Sequence, residues 1–278
     1  MSPSPVPDGY VRGPLFFDGS AGGGVHGDYA RNTFWNLAGG YGARILVLTA
    51  NAAGNAADHG YAEAFRDLEA AQVALLVIGR RASGHDPAVL QAVERSTAVF
   101  LSGGHPLQWS TRIGGTPLAT AIRRANACGK AVGGVGGSAA FLGNHMLVYG
   151  GDFPRMAPGL GLSNRILVAA HFDPAQHGEV LHMAIASNPY LLGIGVPEQS
   201  ACIRRPDDRL EAVGPSPVVL VDGQAMDSTN LMSWRPGMAF TAPGLRVVEL
   251  QPQHQFDLET RRPVPPDDLM PAPQHSSL

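Results

Sequence analysis

Ser138 stands in Ala131-Val132-Gly133-Gly134-Val135-Gly136-Gly137-Ser138-Ala139-Ala140-Phe141, an apolar run that passes through four glycines into a serine and then into helix-forming residues. A serine on a sharp strand-to-helix turn is held in a strained, exposed position, and flanking glycines clear the space around it. The helix start behind it points unpaired N–H groups at any negative charge that develops there. The usual pattern is Gly-x-Ser-x-Gly; here Ala140 takes the last place. The motif offers Ser138 as an acyl-transfer nucleophile. It also fits two other readings. Gly134-Val135-Gly136-Gly137-Ser138-Ala139 is a loose Gly-x-Gly-x-x-Gly/Ala phosphate turn, and Asp152 follows about 18 residues on, where a ribose-binding acid would fall. The glycines could equally serve only close strand-helix packing. The motif alone leaves all three open.

A serine hydroxyl needs a base to take its proton and a third group to orient that base. Of the ten histidines, His171 stands out because Arg165-Ile166-Leu167-Val168-Ala169-Ala170 reads as a strand leading straight into it. A buried, satisfied histidine is the plainer alternative. Glu198 ends another apolar strand, Gly193-Ile194-Gly195-Val196, and could orient His171; Asp152, after Gly150-Gly151, could do so too. Carboxylates just past strands are more often solvated loop charges.

These residues need a scaffold, and the chain supplies one in alternating elements. Arg44–Thr49, Val73–Ile78 and Thr97–Leu101 are apolar strands, while Ala30, Phe34 and Leu37, and then Tyr61, Ala64, Phe65 and Leu68, recur at helical spacing. Asp86-Pro87 starts a helix ending near Arg95, and another runs through Thr120 to Asn126. Strands apolar on both faces, alternating with amphipathic helices, predict an α/β fold with a mostly parallel sheet covered on both sides. Ligands gather at the carboxyl ends of such strands, where Gly19, Ala50-Asn51, Gly103-Gly104 and Ser138 all fall. The second half is richer in β-structure: Ala201–Arg204 and Leu210–Val213 flank a Pro206-Asp207-Asp208 turn, and Val218–Val221 and Leu245–Leu250 follow. The reading divides the chain into a flexible N-terminus over 1–12, a single domain over 13–251, and a Pro-, His- and Gln-rich disordered tail over 252–278.

Composition narrows the function. The 278 residues are 44% apolar and 15% charged, enough to bury a sizeable core, and the net charge of −3 offers no basic field for nucleic acid. No apolar run approaches the ~20 residues of a membrane span, and Met1-Ser2-Pro3-Ser4-Pro5 lacks an export signal's apolar segment. Cys128 and Cys202 are isolated, without metal spacing, so a reduced, cytoplasmic compartment is expected.

Taken in order, these segments resemble the cyanophycinase and aspartyl dipeptidase group of serine peptidases over most of residues 13–231. Leu46-Val47-Leu48-Thr49-Ala50, Gly103-Gly104 with Ile113-Gly114-Gly115-Thr116-Pro117-Leu118, Ser138-Ala139, His171-Phe172, Asn188–Gly195 leading to Glu198, and Val221-Asp222-Gly223 carry the likeness. The resemblance implies a three-layer α/β/α fold like that of class I glutamine amidotransferases, with extra C-terminal strands. It implies a Ser138–His171–Glu198 triad, favouring Glu198 over Asp152. It also implies an oxyanion hole from the N–H groups of Ala139 and Gly104, and a substrate wall that includes Gly103, His105, Gln108, Ala170 and His177. No metal or cofactor is implied; the expected partner is a small or peptide-like substrate, with a homodimer left open. The recognition shell departs from the family. Ala169-Ala170 replace Asp-Gln before the histidine, and Ala175, His177 and Val180 stand where arginines are found. His105, Pro106 and Gln108 replace the residues after the double glycine, and Pro197 replaces an acid. A serine hydrolase or acyl transferase that does not act on cyanophycin is the expectation. A biosynthetic cyclase reusing the triad, or a noncatalytic nucleotide- or small-molecule-binding descendant, is the alternative.

Overall fold

Five strands lie parallel at the centre of the molecule, which the computed structural model describes over residues 2–20, 28–51, 56–148 and 153–265. They are β1 (Leu15–Asp18), β2 (Arg44–Thr49), β3 (Gln72–Val77), β4 (Ala98–Ser102) and β5 (Ala131–Val135), in the spatial order β3-β2-β4-β5-β1. β1, β4 and β5 are buried at every position, and β2 at all but its first. Uninterrupted apolar sequence of this kind can be stable only where helices cover both faces.

One face is covered by α1 (Asp28–Ala38) and α2 (Ala56–Asp67), whose Phe34, Tyr61 and Phe65 pack with Phe16 and Phe100 into an aromatic cluster. Gly133 of β5 lies under this cluster. A Cβ there would fall 2.6 Å from the Phe34 ring and 2.8 Å from that of Phe100, so only glycine admits the rings this closely. The other face carries α3 (Pro87–Arg95), α4 (Pro106–Ile113) and α5 (Pro117–Ala127), with Val89, Trp109 and Ile122 in the core. The N-terminus of α3 falls where Asp86-Pro87 placed it: the Asp86 carboxylate accepts the Ala88 N–H at 2.9 Å.

A short helix, α6 (Gly137–Phe141), follows β5 and lies between the central sheet and a second one. The second sheet has the order β13-β12-β9-β8, from β8 (Ile166–Ala170), β9 (Leu192–Val196), β12 (Val218–Asp222) and β13 (Arg246–Leu250). β8 and β9 are parallel, and α7 (Pro174–Ser187) covers the outer face with Leu181, Ala184 and Ile185. Between α6 and β8 the chain also forms an antiparallel pair, β6 (His145–Val148) with β7 (Arg155–Pro158), which the sequence reading did not assign.

The central sheet is extended beyond β1 by antiparallel strands β10 (Ala201–Arg204), β11 (Arg209–Val213), β14 (Gln255–Asp257) and β15 (Arg262–Val264). This corrects the expected tail over 252–278. As far as residue 264 the chain is folded; 266–278 lie outside the described residues. Phe256 and Leu258 are buried in the main core, and Arg261 donates to Tyr190 O at 2.7 Å while facing Asp222 at 3.4 Å. Two buried apolar residues and one arginine anchor a segment whose Pro, His and Gln content conceals it.

Candidate active site

The carboxyl ends of β1, β4, β5, β8 and β9 converge, and main-chain hydrogen bonds tie several of them together. Gly136 N–H donates to Asp18 O (2.9 Å), Gly19 N–H to Ser200 O (3.0 Å), His171 N–H to Gly19 O (3.2 Å) and Phe172 N–H to Val196 O (3.0 Å). The rim is a fixed scaffold.

Two residues on this rim hold unusual backbone. Gly136, between β5 and α6, has φ 56° and ψ −124°. His171, just past β8, has φ 53°, a left-handed conformation that a non-glycine residue adopts at a cost of about 1–3 kcal/mol and that clusters at functional sites. The two face each other: a Cβ built on Gly136 falls 2.6 Å from His171 Nε2 and 3.4 Å from Ser20 O. The opposite ring nitrogen, Nδ1, is buried and has no hydrogen-bond partner among the described residues.

Ser138 is not on this turn. It is the second residue of α6 and fully buried. Its hydroxyl proton is shared between Leu101 O (2.7 Å) and Val135 O (2.8 Å), and its oxygen accepts the Val135 N–H at 3.1 Å. The expected exposed nucleophile is therefore a structural hydroxyl that pins α6 to β4 and β5, and the sequence reading had set the elbow two residues too late. The assignment of Ala139 to the oxyanion hole moves with it. Ala139 is fully buried in the core, and the residue directly after the elbow is Gly137. The Gly103-Gly104 loop does lie against the turn, with Gly104 O 2.8 Å and Pro106 Cδ 2.7 Å from where a Gly137 Cβ would be.

Glu198 stands past β9 and is exposed, and it makes no hydrogen bond to the unpartnered His171 Nδ1. The expected triad is not joined in this structure. Asp152 lies outside the described residues. Two of the expected substrate-wall residues cap α4: His105 Nδ1 accepts the Leu107 N–H at 3.2 Å, and Gln108 Oε1 accepts the His105 N–H at 3.2 Å. His177 has a similar place in α7, its Nδ1 accepting the Asp173 N–H at 3.2 Å. Ala169 and Ala170 are buried on opposite faces of β8. Among these positions, helix starts and core packing have a claim that spacing alone did not reveal.

Asp18, at the end of β1, was missed. It is fully buried, accepts the Tyr61 hydroxyl at 3.0 Å and the Ser20 N–H at 2.9 Å, and its own carbonyl holds the elbow through Gly136 N–H. Burial pushes its carboxyl pKa up, against those hydrogen bonds and the nearby Arg31. Its place as the last residue of an apolar run before Gly19 was the available signal. Burial likewise pushes the Cys202 thiol up, so it stays protonated and unreactive. Among the described residues no cluster of three His, Cys, Asp or Glu side chains could hold a metal, and no helix is long and apolar enough to cross a membrane.

No protein-family model matches the chain. Individual relatives do. The chain is 32% identical over 230 residues to a cyanophycinase of Geminocystis herdmanii, covering 80% of this chain and 85% of that one. It is 32% identical over 228 residues to a cyanophycinase of Synechococcus elongatus (79% and 71%), and 30% identical over 256 residues to one of Trichormus variabilis (89% and 86%). Among solved structures, a peptidase from an acI-B1 Actinobacterium superposes with a TM-score of 0.62 over 87% of this chain and 98% of that one, at 18% identity. A peptidase E-type protein from Listeria monocytogenes gives 0.52 over 74% and 100%, at 14% identity. The two structural likenesses speak for the α/β fold, and the sequence relatives for descent. The chain belongs to the cyanophycinase family, an enzyme family of the hydrolase class.

Proposed function

We propose that this protein hydrolyses an amide bond in a small, peptide-like substrate at the strand-end rim, with His171 as general base, and that the substrate is not cyanophycin. The observation that carries the reading is the approach of His171 Nε2 to the elbow on a strained, hydrogen-bonded backbone. A general base works at hydrogen-bond reach, about 2.6–3.2 Å between heavy atoms, and His171 Nε2 faces the elbow with no side chain between them. The N–H groups of Gly137 and of the Gly103-Gly104 loop are the candidates to stabilise the charge that develops on a substrate carbonyl oxygen.

The substrate part of the reading rests on what surrounds the base. Cyanophycin joins an aspartate backbone to arginine, so its recognition needs several charge-assisted contacts, each worth roughly 1.5–3 kcal/mol. At the positions where the resemblance leads one to look for charged recognition groups, Ala169, Ala170 and Val180 are packed into the core, Ala175 is apolar, and the Nδ1 atoms of His105 and His177 already accept backbone hydrogen bonds. These positions offer no charged side chain to pair with a guanidinium or a carboxylate. The pure protein should release negligible dipeptide from cyanophycin or from β-Asp-Arg, and should turn over some member of a panel of less charged peptide-like amides, with His171→Ala as control. Efficient release of dipeptide would overturn the substrate reading. Failure to turn over any amide would overturn the hydrolytic one.

A further inference from the structure

We infer that Gly136 occupies the nucleophile position of the elbow, so that this chain brings no side-chain nucleophile there and His171 activates a water molecule directly. The inference rests on the proposed hydrolysis for its chemical step, but its geometric half stands apart.

An elbow nucleophile is the residue between the end of the strand and the start of the helix, with its side chain thrown outward toward the base. Gly136 meets each part of that description. It follows the last residue of β5, precedes the first of α6, has φ 56°, and directs its Cα–H toward His171 Nε2. In the register that this geometry sets, Gly-x-Ser-x-Gly becomes Gly134-Val135-Gly136-Gly137-Ser138: the serine and the last glycine have changed places. Gly134 retains its packing duty, since a Cβ there would meet the α6 backbone at 2.8 Å. Ser138 stands where close packing is required, which is why its hydroxyl is turned into the β4–β5 carbonyls.

The exchange changes the chemistry. Without a serine oxygen at position 136 the elbow itself forms no acyl-enzyme. With glycine at 136, His171 Nε2 faces the elbow with no side chain between them, 2.6 Å from where a Cβ would stand. In the step we propose, a water O–H gives its proton to His171 Nε2 as its oxygen bonds to the substrate carbonyl carbon. The tetrahedral adduct then collapses, the C–N bond breaks, and the departing amine takes the proton back from Nε2. Acid and free amine are the products, and no co-reactant is needed.

The test is a fluorophosphonate–biotin probe with peptide mapping, run on folded wild-type protein, Gly136→Ser and Gly136→Ser/His171→Ala. The expected result is no labelled serine in the wild type, labelling at position 136 in the single variant, and loss of that label in the double variant. Labelling of wild-type Ser138, or of Ser20, whose carbonyl borders the same point, would overturn the inference. The backbone at 136 is strained for a side chain, so a second measurement guards against misfolding: wild-type turnover of the amide panel in hydroxylamine. Direct attack by water gives the acid without the pre-steady-state burst and saturable hydroxamate partitioning of an acyl-enzyme; their appearance would overturn the water step. If the wild type turns over nothing, the hydrolytic reading and the water step fall together, while the probe still decides the elbow.

Discussion

The turn after β5 and the first turn of α6 are two residues apart and obey opposite rules. At Gly136 the backbone is unusual, the side-chain position faces His171 Nε2, and the far ring nitrogen of that histidine is left unpaired. At Ser138 the hydroxyl both donates and accepts within the fold, and the residue has no exposed surface. A reactive group has to keep a polar atom free and to hold a conformation the rest of the fold imposes; a structural one gives up both for stability. His171 differs from His105 and His177 in the same way, since those two have a ring nitrogen engaged by a helix-start N–H.

The largest effect that would test this contrast is at His171. We expect His171→Ala to lower kcat/KM on the amide panel by about 10²–10⁴-fold, the usual worth of a general base, with little change in melting temperature. Wild-type rates in the variant would remove His171 from the mechanism.

Ser138→Ala should do the reverse. Removing the hydroxyl leaves Val135 N–H buried without that acceptor, so stability should drop by about 1–3 kcal/mol in denaturant unfolding, while turnover per folded molecule stays near wild type. A collapse of turnover in protein shown to be folded would restore Ser138 as a participant and erase the contrast.

Asp18 sharpens the comparison from the other side of the elbow. Its folded pKa lies above the unfolded one, chiefly through burial. The stability it contributes is therefore present in full below the unfolded value and is lost as pH rises through the folded value. Asp18→Asn removes that loss, so the melting temperature of the variant should gain on the wild type as pH increases. A variant that instead loses ground to the wild type as pH rises would mean the ionised carboxylate is the favoured form.

The smallest effect belongs to Glu198. Exposed and not bonded to His171, it should give on Glu198→Gln a far smaller loss of kcat/KM than His171→Ala does, with stability within about 0.5 kcal/mol of wild type. A loss rivalling that at His171 would show that the rim closes during turnover and brings this carboxylate to Nδ1.

The sequence by itself determined the parallel core, because strands such as Arg44–Thr49 and Ala98–Ser102 are apolar on both faces between their ends and periodicity is a local property. It determined the start of α3 at Asp86-Pro87 for the same reason, a cap being a contact between near neighbours. The ends of β5 and β8 were also legible, and with them the rim. What tertiary structure decided was which glycine or serine turns outward. A run of four glycines before Ser138 lets a one- or two-residue slip pass unnoticed in the sequence. The slip is resolved only by Phe34 and Phe100 against Gly133, by the α6 backbone against Gly134, and by His171 against Gly136. The strands over 255–264 were hidden likewise, since Phe256, Leu258 and Arg261 draw their partners from the distant core, Tyr190 and Asp222. Side-chain direction depends on contacts between residues far apart in the chain, and spacing along the chain carries no record of them.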